Sequence, residues 1–376
     1  MPGWNLRNRA AIVGVGYTPM LRSTDRSLGA IAVEAALDAI ADAGLSRKDI
    51  DGYIGMPNAP SPAARHLDGV DEISAVYLAA ALGMKEPAWL MDQSGQPTGA
   101  VAAACHVVAS GLCNYVLVLR TMYNPVGRRY QEASQTTAGG PLQYGLPYGM
   151  SGGIAMLAHW LQRYMHDYGA TREALYSVVA NDRRHARLNP VAYWRDKELT
   201  LDDYMNARPI YAPMCVFDCD IPVTAAGAVI VTTAERARDL RHPPAYVSGV
   251  ANSLQPGSRI FENSGVARQD VQVAQIYDGF SPFVWNWLER LGYCGTGEAH
   301  LYTQDGRIGL GGETPINTFG GQLGEGRLHG MGHLREGVMQ VMGRAGERQV
   351  PGVQHSLVVN GFIGSHPYFN LMLSRG

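Results

Sequence analysis

The sequence predicts an α/β protein built from two halves of similar plan, and three observations predict it. Short β-branched runs closed by glycine alternate with runs of helical apolar spacing, the pattern of a sheet covered on both faces. The same plan starts again near residue 240. At 376 residues the chain is long enough to form two core-bearing halves. The expected division is residues 1–240, with an insertion at about 121–215, and residues 241–376.

Taken in order, Ala10-Ala-Ile-Val-Gly-Val-Gly16 reads as a buried strand and turn, and Leu28 to Ala43 as a helix stopped by Gly44. Asp51-Gly-Tyr-Ile54 is a second strand. After a proline-rich loop, Ile73 to Leu82 has helical spacing, as does the alanine-rich Gly99 to Ser110. Asn114-Tyr-Val-Leu-Val-Leu-Arg120 is a core strand. From Asn124 to Gly153 the pattern gives way to a Gly-, Pro- and Tyr-rich stretch, long enough to expect a functional loop. Helical patterns resume at Ile154 to Tyr168 and Arg172 to His185, followed by the strand Ala225 to Thr233. The second half repeats the theme: strands at Ala245 to Val250 and Val273 to Tyr277, helices at Pro282 to Leu291 and Leu334 to Met342, and strands at Ser356 to Asn360 and Phe369 to Ser374.

Composition excludes several classes of function. A net charge of −2 and the lack of a long basic run argue against a nucleic-acid partner. No apolar run approaches the roughly 18 residues of a membrane span, and the N-terminus lacks a signal-peptide pattern. A cytoplasmic protein is therefore expected, with no membrane partner. Five cysteines suit reduced thiols better than a disulfide framework. Cys215 and Cys219 alone supply too few ligands for a structural zinc site, so no metal is expected.

The densest chemistry lies in Asn317-Thr-Phe-Gly-Gly-Gln-Leu-Gly-Glu-Gly-Arg-Leu-His-Gly-Met-Gly-His333. Glycine at this density permits close approach of a ligand to backbone N–H groups, and the following helix would offer its N-terminus to negative charge. The expectation is a site that holds an anion or a developing one.

Several stretches together resemble the thiolase superfamily, in the sterol-carrier-protein-type branch that includes lipid-transfer-protein steroid retro-aldolases. They are Ala11 to Gly16, Asp182-Arg-Arg-His185 with Asn189-Pro-Val-Ala-Tyr193, Ile276-Tyr-Asp-Gly-Phe-Ser-Pro282, Leu288 to Glu298, and Pro315 to Glu325 followed by His329-Gly-Met331. The resemblance implies a five-layer α-β-α-β-α thiolase fold, a homodimer, and acyl-CoA thioester chemistry where the halves meet. It implies a CoA thioester as substrate and no bound cofactor.

The catalytic positions depart from a working thiolase. Gln96 stands where the nucleophilic cysteine would open a buried helix, Tyr277-Asp-Gly-Phe280 replaces His-Asp-Cys-Phe, Gly326-Arg327-Leu328 replaces Gly-His-Pro, and Asn360-Gly361 falls at the second cysteine. With no thiolate to carry an acyl group, thiolysis is not expected. The resembling retro-aldolases lack that cysteine too and use the tyrosine matched here by Tyr277, with a second tyrosine where this chain has Arg327.

A retro-aldol cleavage needs a base for the hydroxyl proton and donors for the developing enolate. Tyr277 is the candidate acid or base, Arg327 the cation that would favour its phenolate or bind the enolate, and His329 a residue that orients Tyr277 or binds the thioester carbonyl. Gln96, Asp278, Gly320, Gly321 and His366 are the expected substrate-binding positions, although Asp278 also suits a helix cap and His366 a turn before proline. Arg128, Arg129 and the tyrosines of the insertion suit a cover over a CoA phosphate and a flat apolar acyl group. The resemblance further implies a small OB-fold, zinc-ribbon partner protein. Two other readings stay open: a thiolase-like acyl-CoA-binding scaffold without activity, and an acyltransferase using Ser94 or Cys105.

Overall fold

The computed structural model describes residues 4–57, 67–124, 139–150, 152–252, 259–361 and 369–376, without the side chains of 141, 142 and 152. Among these, one nine-stranded sheet forms from β1 (Ala10–Tyr17), β2 (Gly52–Met56), β3 (Trp89–Asp92), β4 (Tyr115–Met122), β5 (Ala225–Thr233), β6 (Ala245–Asn252), β7 (Val273–Ile276), β8 (His355–Val359) and β9 (Phe369–Arg375). The helices that bear on the site are α1 (Leu28–Asp42), α2 (Ala75–Ala81), α3 (Pro97–Ala109), α4 (Gly152–Tyr168), α5 (Arg172–Ala186), α6 (Pro282–Arg290), α7 (Gly321–Gly324) and α8 (Met331–Met342).

The spatial order is β3-β2-β4-β5-β1-β6-β9-β8-β7. Pairing along β1-β5-β4-β2 runs antiparallel, antiparallel, parallel, and the same sequence recurs along β6-β9-β8-β7. The two runs join at a short antiparallel seam where Ala11 faces Tyr246 and Ile12 faces Ala245.

Side-chain alternation builds the layers, because successive strand residues point to opposite faces. Ala11 and Val13 of β1, with Leu117 and Leu119 of β4, meet α1 and α2 in one apolar cluster. Their neighbours Ile12, Val116 and Val118 turn the other way, into a cluster filled by α3 and α8. Val358, Leu371 and Leu373 enter that central cluster from the second run of strands. Leu357, Val359 and Met372 face outward onto α4, α5 and α6. Helix, sheet, helix, sheet, helix is the five-layer arrangement, with the two sheet layers continuous at the β1–β6 seam.

Local signals set the helix starts. Ser27 accepts from Ala30 N at 3.1 Å to cap α1, and Thr171 accepts from Ala174 N at 3.2 Å to cap α5, each worth about 1 kcal/mol. The fold differs from the sequence-based expectation in three places. Strand β3 has no β-branched residue and gave no strand pattern. Helix α8 starts at Met331, not Leu334, because burial overrides the poor helix propensity of Gly332. Helices α4 and α5, grouped with the first half as part of the insertion, pack on the outer face of the second half, since their apolar residues cluster with Ile276, Trp285, Trp287 and Leu357. No helix among the described residues is long and apolar enough to cross a membrane.

Candidate active site

Five side chains converge from four segments. Arg120 sits in β4 at the alternate position after Val116 and Val118, so the strand sends it inward, and it is 2% exposed. Its Nη2 donates to His329 Nδ1 at 2.7 Å, and its Nη1 donates to Met56 O at 3.4 Å. Gln96 is the N-cap residue of α3, with an extended backbone and no side-chain cap bond. Its amide nitrogen lies 3.2 Å from His329 Nε2. His329 itself is held at a left-handed φ of 50° and keeps a partial opening to solvent.

Tyr277 follows directly on β7, its N–H donating to Val359 O at 2.9 Å. Its ring meets that of His329 edge-on, with centroids 6.2 Å apart, and stacks against His333 at 5.7 Å. Arg327 donates its backbone N–H to Ile221 O at 2.8 Å, which ties the loop to the segment before β5. Its guanidinium Nε stands 3.4 Å from Asp220 Oδ2.

The electrostatics follow from this crowding. Burial lowers Arg120 to about 10, and the like charge of Arg327 adds to the effect. The described contacts of Arg120 are Met56 O, Met122 Sδ and His329, with no carboxylate among them. Burial, then the charges of Arg120 and Arg327, hold His329 well below its usual range, so its imidazole is neutral. Two cations beside a neutral ring suit a group on which negative charge develops.

The structure thus brings Gln96, Tyr277, Arg327 and His329 together, and adds Arg120. Three expected binding positions are corrected. Asp278 is wholly buried: Oδ1 accepts from Gln322 N at 2.9 Å, Oδ2 accepts from Leu323 N at 3.0 Å, and His333 Nε2 lies 2.9 Å from Oδ1. It therefore anchors α7 and α8 instead of facing substrate. Gly320 (φ 105°) and Gly321 (φ 59°) are glycines for packing. A Cβ on Gly320 would stand 2.7 Å from Ala186 Cβ, and one on Gly321 would overlap the Asp278 carboxylate. His366, Arg128 and Arg129 lie outside the described residues.

The candidate thiol is unsuited to acyl transfer. Cys105 is buried in α3, and burial raises its thiol to about 12, which removes the thiolate at neutral pH. Ser94 is an exposed residue ahead of α3. Asn360, at the second cysteine position, donates from Nδ2 to Gly330 O at 3.4 Å and supports the loop that carries His329. Among the described residues no group of three or more His, Cys, Asp or Glu side chains could hold a metal ion.

Two features escaped the sequence reading. In the sequence Arg120 is only a lone charge near the end of an apolar strand. Asp182 of α5 lies against Asp278, and burial, then the charge of Asp278, raises its carboxyl well above the usual range, so it carries a proton.

Comparison with known proteins gives the family. Residues 234–368 match the Thiolase C-terminal domain-like family. The chain is 35% identical to a 17-hydroxy-3-oxo-4-pregnene-20-carboxyl-CoA lyase of Mycobacterium tuberculosis, over 95% of this chain and 97% of that protein. It is 33% identical to a steroid side-chain-cleaving aldolase of Thermomonospora curvata, over 90% and 91% of the two chains. A solved Ltp2-ChsH2(DUF35) aldolase superposes with a TM-score of 0.86 and 33% identity, over 98% of both chains. Human mitochondrial 3-ketoacyl-CoA thiolase, at 13% identity and a TM-score of 0.66, shares the fold.

Proposed function

Because this chain belongs to the thiolase superfamily, as an aldolase-type carbon–carbon lyase of its lipid-transfer branch, we propose that it cleaves a branched β-hydroxyacyl-CoA whose acyl group is bulky and apolar, such as a steroid side chain. The names of its two relatives support that substrate class.

In this reading Tyr277 takes the proton of the β-hydroxyl group. The Cα–Cβ bond breaks, a ketone or aldehyde leaves, and the electron pair passes into the thioester as an enolate. Protonation at Cα then releases the shorter acyl-CoA. Arg120 lies near enough to Tyr277 for their charges to couple, so negative charge that forms on the phenol oxygen faces a guanidinium. The Gln96 amide and His329 imidazole, 3.2 Å apart, face the place of the enolate oxygen. Arg327, tethered by Asp220, contributes positive potential from the edge of the site.

The observation that carries the reading is the Gln96–His329 pair at the start of α3, where a thiolase would hold its nucleophilic cysteine. Incubating the protein with such a thioester tests it. Release of a carbonyl product and a shorter acyl-CoA without added free CoA is expected; no cleavage of that thioester, with CoA-dependent cleavage of a β-ketoacyl-CoA instead, would assign thiolysis.

The same proposal includes a small partner of OB-fold, zinc-ribbon type, for which the Ltp2-ChsH2(DUF35) relative is the support. It also includes a homodimer, a cytoplasmic location, no resident cofactor, and halves of residues 1–240 and 241–376.

A further inference from the structure

We infer that Arg120 is a positioning residue that fixes His329 as a permanent hydrogen-bond donor toward the reacting oxygen. The inference rests on the retro-aldol reading for what the donor does, and on geometry alone for the donor itself. A guanidinium has five N–H donors and no acceptor. At 2.7 Å from Arg120 Nη2, His329 Nδ1 must therefore present its lone pair. A neutral imidazole carries one hydrogen, which this contact forces onto Nε2.

Nε2–H points at the Gln96 side chain, whose amide nitrogen is 3.2 Å away and whose oxygen is buried without a partner. A half-turn of the amide lets that oxygen accept in the free protein. With the NH2 group in place the two donors converge instead, and an oxygen set between them accepts from both. Gln96 can thus close the site when it is empty and join His329 when an enolate oxygen forms.

The groups facing the ring leave it no other role. Arg120 from β4 and Arg327 from its own loop are both positive, Tyr277 from the end of β7 meets it edge-on, and Gln96 from α3 is neutral. No carboxylate hydrogen-bonds to the imidazole among the described residues, so nothing there favours the imidazolium. Proton transfer is left to Tyr277, and His329 acts by donation. The sequence places Arg120 for this purpose by strand parity: a charge at the third inward position of β4 is costly to bury unless it serves a partner in the central layer.

The test is 15N spectroscopy of histidine-labelled wild-type protein, with the His329 signal assigned by its loss in His329→Gln. The expected signature is a neutral ring with Nδ1 unprotonated from about pH 5 to 8. A ring protonated at Nδ1, or an imidazolium near neutral pH, overturns the inference without reference to any substrate. In Arg120→Met the signature should change to mixed tautomers that titrate at higher pH, and kcat should fall about 10- to 100-fold with KM little changed. Arg120→Lys, which restores a cationic donor, should recover part of both. An unchanged tautomer in folded Arg120→Met would contradict the role. If wild-type protein has the expected tautomer but no aldol cleavage, the function is wrong and the positioning stands.

Discussion

Asp278 Oδ1 lies 2.9 Å from Nε2 of His333, and this buried pair joins the end of β7 to α8 across 55 residues of sequence. Tyr277 immediately precedes Asp278, and His333 stacks on the Tyr277 ring. The carboxylate also takes the N–H groups of Gln322 and Leu323, so Tyr277 and the glycine-rich loop share one anchor.

Asp278→Asn keeps the shape but loses the charge and turns an acceptor into a donor toward backbone N–H groups. Leaving buried donors unpaired should lower stability by about 2–4 kcal/mol. Urea denaturation measures this. A loss below about 0.5 kcal/mol would mean the anchor is dispensable.

Asp182→Asn should do the opposite. Asp182 has a raised folded-state pKa, so its protonated form fits the fold. The unfolded chain ionises near pH 4 while the folded chain does not, and the wild type loses stability as pH rises from there toward the folded pKa. Asparagine mimics the protonated acid and removes that loss. The variant's melting temperature should rise relative to wild type between about pH 4 and 7; an equal offset at every pH would refute the protonated Asp182 carboxyl.

Acid should destabilise the protein through its buried neutral histidines. Burial lowers His185 from its usual range to about 4. Below an unfolded value near 6.5 the unfolded chain binds a proton that the folded chain refuses, so stability falls as pH drops from about 6.5 to 4, by about 3 kcal/mol for this residue. His329 adds to the fall in the same direction. Denaturation of His185→Gln against pH should give a shallower slope across that window, and an unchanged slope would remove His185 as a source.

Gly321→Ala places a methyl group on the Asp278 carboxylate at φ 59°. The strain should cost about 2–4 kcal/mol and displace the loop that carries Arg327 and His329. Stability and aldol cleavage should fall together; wild-type values for both would show that the loop tolerates a side chain there.

Cys105→Ala should leave aldol cleavage within about twofold of wild type, with a stability loss of about 1 kcal/mol from the small cavity. Acyl transfer through Cys105 would instead require that activity vanish, with a covalent adduct on the wild-type thiol by mass spectrometry.

Much of the fold was legible because burial on both faces forces β-branched runs, as in Ala225 to Thr233 and Ser356 to Val359. Trp89–Asp92 was not, since its pairing with β2, not its composition, makes it a strand. At the site, Tyr277, Gln96, Arg327 and His329 stood on motif positions and do come together. Glycine density misled at Gly320 and Gly321, where closeness to Ala186 and Asp278 explains the residue type without a ligand. Arg120 was hidden because a strand-end arginine and an inward one look the same until the strand's register is known.

In the proposed reaction Tyr277 takes the proton that starts carbon–carbon cleavage. The direct measurement is single-turnover cleavage of a branched β-hydroxyacyl-CoA by Tyr277→Phe, with wild-type thioester binding verified beside it. Binding should persist while cleavage slows by about 100-fold or more. Cleavage at the wild-type rate would contradict that role.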